Sequence, residues 1–289
     1  EQSFRDYEVV ICDDSPDEQV HSWLQENFAG QHLIYHRNVP ALGTPENWNE
    51  CIRRATGTWI KLMHDDDWFS GEDALKILHA KITVTKAKFI HCNYKNVALS
   101  NDNKMVPKIS GSALRKWLVK KYPETLYARN IIGPPSVVCV HRSLNDYYDK
   151  RMKWLVDIDY YIRILKKETS CYIPDILIHV GLGEEQVTQY THNRPEVEIP
   201  EGVLLYQKSG ALVCRNIFYY DAWWRLIRNL GIRSEKQFAL HLQEPGVPPF
   251  ILKIIQHQQH LPEQLLKIGI LSKFFMFVSW LFLLSRKGL

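Results

Sequence analysis

Trp59-Ile-Lys-Leu-Met-His-Asp-Asp-Asp-Trp-Phe69 decides the fold, because an apolar run of strand character breaks into the consecutive carboxylates Asp65, Asp66 and Asp67. Like charges packed that closely repel unless something positive sits among them. Hard divalent cations such as Mg²⁺ or Mn²⁺ take carboxylate oxygens and share them with substrate phosphates. In open α/β sheets, ligands bind in the crevice beyond the carboxyl ends of the strands, which is where this triplet falls. A solvated acidic turn is the plainer alternative, and the triplet alone does not separate the two.

Glu8-Val-Val-Ile-Cys-Asp-Asp-Ser-Pro16 repeats the design: a short β-branched run breaks into Asp13 and Asp14 and then a Ser-Pro turn. Between the two strands, Ser15 to Phe28 reads as a helix, with Ser15 as N-cap, Pro16 at its first position, Asp17 and Glu18 in its first turn and Gly30 beyond its end. A second helix, Pro45 to Ala55, ends at Gly57 and leads into the strand that carries the triplet. The order β-α-β-α-β with acids at strand ends predicts a right-handed parallel sheet.

Asp13-Asp14-Ser15, His36-Arg37-Asn38 with Gly43, Asn49 with Ala55 and Gly57, and Asp65-Asp66-Asp67 together resemble the nucleotide-sugar-binding half of the family 2 glycosyltransferases. The resemblance continues through Gly133-Pro-Pro-Ser136 and Trp154-Leu-Val-Asp-Ile-Asp-Tyr-Tyr-Ile-Arg163, and so covers about residues 1–190. It implies an α/β fold of GT-A type, a Rossmann-like mostly parallel sheet flanked by helices, with a C-terminal helical extension. The domains expected are a catalytic domain over 1–195, a helical extension over 196–264 and an apolar C-terminal helix over 265–289.

Carried over position by position, the resemblance puts Asp13, Asp14, Asn49, Asp65 and Asp66 on the nucleotide side. Asp14 would contact the uracil of a UDP-sugar, with Asp13 supporting the turn. Asp66 would contact the ribose, with Asp65 a supporting charge. Asp67 becomes the ligand of Mn²⁺ or Mg²⁺. His64 stands where the family usually has an Asp, and a neutral imidazole there can still ligate or hydrogen-bond.

An acceptor hydroxyl must lose its proton as it attacks the anomeric carbon, and the family supplies a carboxylate as general base. The matching residue is Asp157. Val156 replaces the usual neighbouring Glu, which removes a like charge that would raise the Asp157 pKa. The alternatives are that Asp157 is only a helix N-terminal acid favoured by the macrodipole, or that Asp159 is the base. The chemistry implied is a single displacement with inversion through an oxocarbenium-like transition state. No Gln-x-x-Arg-Trp signature of processive synthases occurs, so one sugar per encounter is expected. Gly133 to Ser136 reads either as a rigid loop on the acceptor side or as an ordinary loop. His179 to Thr188, with Gly181 and Gly183, occupies the place of a loop that closes over the donor, and His179 is either a further metal or pyrophosphate contact or a strand-end histidine.

Six scattered cysteines without C-x-x-C spacing fit a reducing cytoplasm, and 36 basic against 32 acidic residues exclude a strongly charged nucleic-acid binder. Members of the resembled family begin with a further strand ahead of the first Asp pair. This chain starts at Glu1, close before Asp13 and without a Met, so a sheet position is expected to be empty or filled from elsewhere, at a cost in donor affinity.

Ile217 to Leu230 is rich in aromatics, with Tyr219, Tyr220, Trp223 and Trp224 beside Arg225 and Arg228. It reads as helix packing or as a surface for a lipid acceptor. Pro245-Gly-Val-Pro-Pro249 breaks the chain before a last helical region. From Ile268 to Leu284 the lone charge is Lys273, with Arg286 and Lys287 following. Seventeen residues at 1.5 Å each span roughly 25 Å, short of a hydrocarbon core of roughly 30 Å. An interfacial anchor fits better than a crossing, and a helix buried on the catalytic domain or a second subunit is the alternative.

The function expected is transfer of a single sugar from a UDP-sugar to a hydroxyl of a glycan or lipid-linked acceptor in cell-surface polysaccharide biosynthesis. The enzyme is expected in the cytoplasm, peripheral on the inner face of the cell membrane. A non-catalytic nucleotide-sugar-binding or membrane-associated scaffold is the rival, and a metal-dependent phosphohydrolase the third reading. Donor sugar, acceptor linkage and oligomeric state are left open.

Overall fold

The computed structural model describes residues 2–28, 33–99, 112–183, 193–242 and 246–285, and the backbone of 105–106. Gly30, Pro245, Arg286, Lys287 and the stretch 184–188 of the expected donor loop lie outside the described residues. The chain forms two compact units. One comprises Glu1–Ser110 and Ile131–Gln186, the other Gly111–Asn130 and Val187–Leu289.

In the first unit, β1 (Val9–Asp13) pairs in parallel with β2 (Leu33–Arg37), in a register that sets Asp13 opposite Arg37. The helix between them covers Gln19–Phe28, shorter than the Ser15 start read from sequence. Arg37 accounts for the difference. Its guanidinium donates to the carbonyls of Ser15 and Pro16, at 3.2 Å and 2.6 Å, and holds that backbone outside the helix. Asp17 then receives Gln19 N–H at 3.1 Å, the bond expected of Ser15. The second helix, Glu46–Arg54, lies where the sequence put it.

The run 59–64 is strand only at β3 (Trp59–Ile60). A turn through Asp65 and Asp66 leads into β4 (Asp67–Phe69), so the triplet straddles a turn and its last member begins a strand. β5 (Phe89–Ala98), β6 (Met105–Val106), β7 (Val138–His141) and β8 (Ser170–Leu182) complete the strands, in the order β3-β7-β5-β8-β4, with β6 on β5. The sheet is mixed. β5 and β8 run parallel, whereas β3 and β5 pair antiparallel with β7, and β4 antiparallel with β8. β3 therefore does not continue the parallel pair β1-β2, because its ladder partner is the later strand β7, which no local pattern announces. Phe89, Ile90 and Ile178 are buried on these strands, and Tyr161 of helix Val156–Leu165 meets Phe89 edge-on at 5.6 Å. Each such large apolar side chain stabilises by about 1.5–3 kcal/mol.

The second unit is helical. Helix Ile217–Asn229 is its centre, capped by Asn216, whose side chain accepts from Phe218 N and Tyr219 N. Tyr219, Tyr220, Trp223 and Trp224 are buried, so these aromatics pack the unit and offer no surface to a lipid. A Cβ on Gly202 would stand 2.9 Å from the Trp223 ring, which is why helix Pro195–Ser209 carries a glycine there. The last helix is Gly269–Ser285, and among the described residues no helix is long and apolar enough to cross a membrane.

Candidate active site

The acid turn is held from three directions. Ser136, fully buried, receives His64 N–H on its Oγ at 3.0 Å, and its carbonyl accepts from the Lys61 ammonium. Gly181 N–H on β8 donates to Asp67 Oδ1 at 3.1 Å. β8 approaches so closely that a Cβ on Gly181 would lie 2.2 Å from the Asp66 carbonyl oxygen. Ligand atoms of His64, Asp66 and Asp67 gather within 4.8 Å of one another. The Asp67 side chain is 1 % exposed, and its Oδ2 and His64 Nε2 are both buried with no hydrogen-bond partner.

Electrostatics follow from that burial. Burial raises the Asp67 carboxyl to about 6, with the Asp66 charge in support and the Ser136 and Gly181 hydrogen bonds and Lys61 opposing. Burial also holds His64 below its ordinary value, against the pull of Asp66 and Asp65, so the ring is neutral and keeps a lone pair. Trp48 stacks on it at 4.7 Å. Asp67 Oδ2 lies 3.9 Å from His64 Nδ1, and a neutral imidazole beside a buried carboxylate oxygen with no hydrogen-bond partner fits a divalent cation.

The first Asp pair builds a second wall. Asp13 accepts from Ser15 N–H and from Tyr35 O–H, both at 2.8 Å. Burial pushes its pKa up, but the Ser15 and Tyr35 hydrogen bonds and Arg37 outweigh it and hold the carboxyl below the usual range. Asp14 gathers the following loop, accepting from Asn38 Nδ2 at 2.8 Å, Leu42 N at 3.0 Å and Gly43 N at 2.7 Å. Asn49 is engaged differently from the nucleotide contact expected of it. It is buried, and its amide pairs with both the N–H and the C=O of Tyr148, at 2.8 Å and 2.9 Å, while also donating to Glu46. Asp65 is exposed on the turn.

Asp157 lies in the first turn of helix Val156–Leu165, where its Oδ1 accepts from Ile158 N at 2.7 Å. Asp159, the alternative base, is buried and its carboxylate is engaged in an ion pair with Arg163 at 2.8 Å. Val156, in place of an acid, is buried. His179 pairs across the ladder with Trp68 and meets its ring edge-on at 5.7 Å. Strand alternation puts it on the opposite face from Asp67, so it is not a metal contact.

Tyr94 escaped the sequence reading. The β5–β8 register shifts at Cys92/Asn93 and Asn93/Tyr94, and such a bulge re-aims the side chains beside it. The Tyr94 ring lies against Gly133, where an added Cβ would come within 2.5 Å of it, and Gly133 has a φ of 121° that favours glycine. Burial raises the Tyr94 phenol to about 12, with the negative fields of Asp157 and Asp67 adding to it. The phenol thus stands within the fields of both the expected base and the expected metal ligand. The loop 133–136 props this arrangement, with Gly133 beneath Tyr94 and Ser136 under the acid turn.

The family model for glycosyl transferase family 2 matches residues 1–148, just over half of the chain. The chain belongs to glycosyl transferase family 2. This family 2 chain is similar to the uncharacterized protein MT1568 of Mycobacterium tuberculosis, 22 % identical over 267 residues, covering 84 % of this chain and 80 % of that protein. Among solved structures it resembles S. aureus TarS 1-349 in complex with UDP-GlcNAc, with a TM-score of 0.57 at 12 % identity, covering 100 % of this chain and 86 % of that one. The complex of the same TarS fragment with UDP matches over the same shares, with a TM-score of 0.50 and 12 % identity. At such identities the likeness speaks for the fold, a mixed α/β GT-A-like architecture, and the family 2 chain shares it.

Proposed function

We propose that this glycosyltransferase moves a single sugar from a UDP-sugar to a hydroxyl of a glycan or lipid-linked acceptor, with inversion, in cell-surface polysaccharide assembly. The observation that carries the reading is the pair of orphaned buried ligand atoms on His64 and Asp67, beside Asp66 and with Asp157 sharing the field around Tyr94. The TarS fragment was crystallised with UDP and with UDP-GlcNAc, which supports a UDP-activated donor for a chain of the same fold. His64, Asp66 and Asp67 would hold Mn²⁺ or Mg²⁺, which supplies charge neutralisation for the diphosphate of the departing UDP. Asp14 and the loop it organises, with Asp13 and Asp66, form the nucleotide side.

Asp157 takes the acceptor hydroxyl proton. The acceptor oxygen's electron pair forms the bond to the anomeric carbon as the bond from that carbon to the β-phosphate oxygen breaks, and UDP leaves with the pair of the broken bond. The residues assigned to donor, metal and base all lie in the first compact unit. The working location is the cytoplasm, peripheral on the inner face of the cell membrane, where lipid-linked acceptors are met.

The reading is tested by calorimetric titration of UDP with and without Mn²⁺ on the wild type and on Asp67→Ala, paired with an assay of acceptor-dependent UDP release. Metal-dependent binding that disappears in Asp67→Ala is expected. Failure of folded wild type to bind UDP under either condition would sink the donor assignment. Binding without release over a broad acceptor panel would instead mark a nucleotide-sugar-binding protein.

A further inference from the structure

Helix Gly269–Ser285 is built inside out. Two of its serines face the unit's interior: Ser272 Oγ accepts from Trp224 Nε1 at 3.1 Å and Arg228 Nη1 at 3.0 Å, while Ser279 Oγ bonds Tyr220 Oη at 2.6 Å and His257 Nδ1 at 2.5 Å. Its outward side carries Ile270, 83 % exposed, Phe274, 58 % exposed, and then Phe277, Leu281 and Leu284. The spacing i, i+4, i+7, i+11, i+14 puts them in one stripe. A helix that faces water shows the reverse arrangement. No acid occurs from Ile268 to Ser285, and Arg286 and Lys287 follow in sequence.

A second helix of the same unit, Ala113–Lys121, exposes Leu114 and Trp117, with Tyr122 beyond its end. Lys121 lies over both rings, at 5.5 Å from Trp117 and 5.3 Å from Tyr122. Lys273 of the last helix and Arg225 of helix Ile217–Asn229 reach one carboxylate. Asp221, buried, pairs with Lys273 at 2.5 Å and Arg225 at 3.1 Å. Arg115 and Arg228 lie within the same field: burial and the charges of neighbouring arginines depress both, and Asp221 opposes. Helix Ala113–Lys121 carries Arg115, Lys116, Lys120 and Lys121 and no acid, so the two helices together hold a surplus of positive charge.

We propose that the helical unit docks on an anionic lipid bilayer, with the outer stripe of Gly269–Ser285 in the headgroup–acyl boundary and the exposed Lys120 and Lys121 toward lipid phosphates. Charge complementarity selects this occupant. A second copy would set the same cations against themselves, whereas anionic headgroups supply the missing counter-charge. The inference rests on the peripheral location proposed with the transferase reading, yet its test is independent of catalysis.

The full chain is sedimented with vesicles of phosphatidylcholine alone or mixed with phosphatidylglycerol, as wild type and as the triple variant Phe274→Gln, Phe277→Gln, Leu281→Gln. These side chains are outward, so the variant is expected to keep its circular dichroism and melting temperature. Charge is tested separately with Lys120→Glu, Lys121→Glu. Wild type should bind the mixed vesicles, less so in high salt, and the triple variant should bind at least about tenfold more weakly. The charge variant should lose affinity for mixed vesicles only. Absence of wild-type binding, or equal binding by the triple variant, overturns the proposal. So does a wild-type dimer in light scattering that the triple variant dissolves, which would assign the stripe to a second copy. UDP titration of the same preparations reports on the transferase reading separately.

Discussion

Asp67 meets opposing demands, since a metal ligand must be ionised while burial favours its proton. Its folded pKa, about 6, lies above the ordinary 3.8, so ionisation in the metal-free fold costs stability that a protonated Asp67 does not. Stability from this group therefore falls as pH rises from about 4 through about 6. His64 runs the other way: its folded pKa lies below 6.5, so its contribution is present above that value and is lost as pH falls. Comparing Asp67→Asn with wild type in chelator separates the two. The variant's melting temperature should gain on wild type between about pH 4.5 and pH 7, and a constant difference would refute the buried, raised carboxyl. Asp157→Asn should lower the transfer rate by roughly 10²- to 10⁴-fold with UDP affinity intact. Asp159→Asn should instead lower stability by about 1–3 kcal/mol in denaturant titration, because it removes a buried charge partner of Arg163, which keeps Asp146 and the Tyr147 carbonyl. If Asp159→Asn were the one to abolish transfer in a stable protein, the base assignment would move. Tyr94→Phe keeps the ring on Gly133 and removes only the hydroxyl between two carboxylate fields. Turnover should fall about tenfold with unchanged UDP binding, and an unaltered rate would leave Tyr94 a packing residue.

At the scale of elements, the acid turn is as much a product of β8 as of its own sequence. Gly181 lets the strand pass 2.2 Å from the Asp66 carbonyl, measured from a Cβ it does not have. Gly181→Ala should therefore push β8 from β4, lower stability by about 1–3 kcal/mol and weaken metal-dependent UDP binding together. Calorimetry and thermal melting on one preparation check both, and an unchanged melting temperature would mean the strands adjust freely. That dependence explains what was legible in the chain. Asp13, Asp14 and the triplet announce themselves because strand-end acids break a local apolar pattern. Ser136, Gly181 and Tyr94 carry no such signal, because their roles come from pairings across the sheet and from a bulge in its register. The first helix starts later than its local pattern for a similar reason, since Arg37 on the next strand takes the carbonyls that Ser15 and Pro16 would have given to it. Asn49 fits the family's order of motifs but works here as a tie to the Tyr148 backbone.

For the whole molecule, no local pattern assigns Gly111–Asn130 to the helical unit that also holds Val187–Leu289. That segment is placed by tertiary bonds, Asn216 to Thr125 at 3.0 Å and Arg225 to the Ala128 carbonyl at 2.7 Å, with partners far along the chain. A protein of this length buries enough apolar surface to dispense with cross-links, and all six cysteines are free thiols. Their chemistry should follow burial. Burial, together with a hydrogen bond donated to Cys51 and the charge of Cys51, pushes the Cys12 thiol up to about 12, and burial does the same for Cys139. The thiolate is the reactive form, so at about pH 8 these two should resist alkylation in the native protein and react once it is unfolded. Mass spectrometry of iodoacetamide-treated samples reads this directly. Melting with and without dithiothreitol should give the same temperature. Rapid native labelling of Cys139 would show that the β5–β7 core opens far more readily than a sheet buried around Phe89 and Ile90 allows.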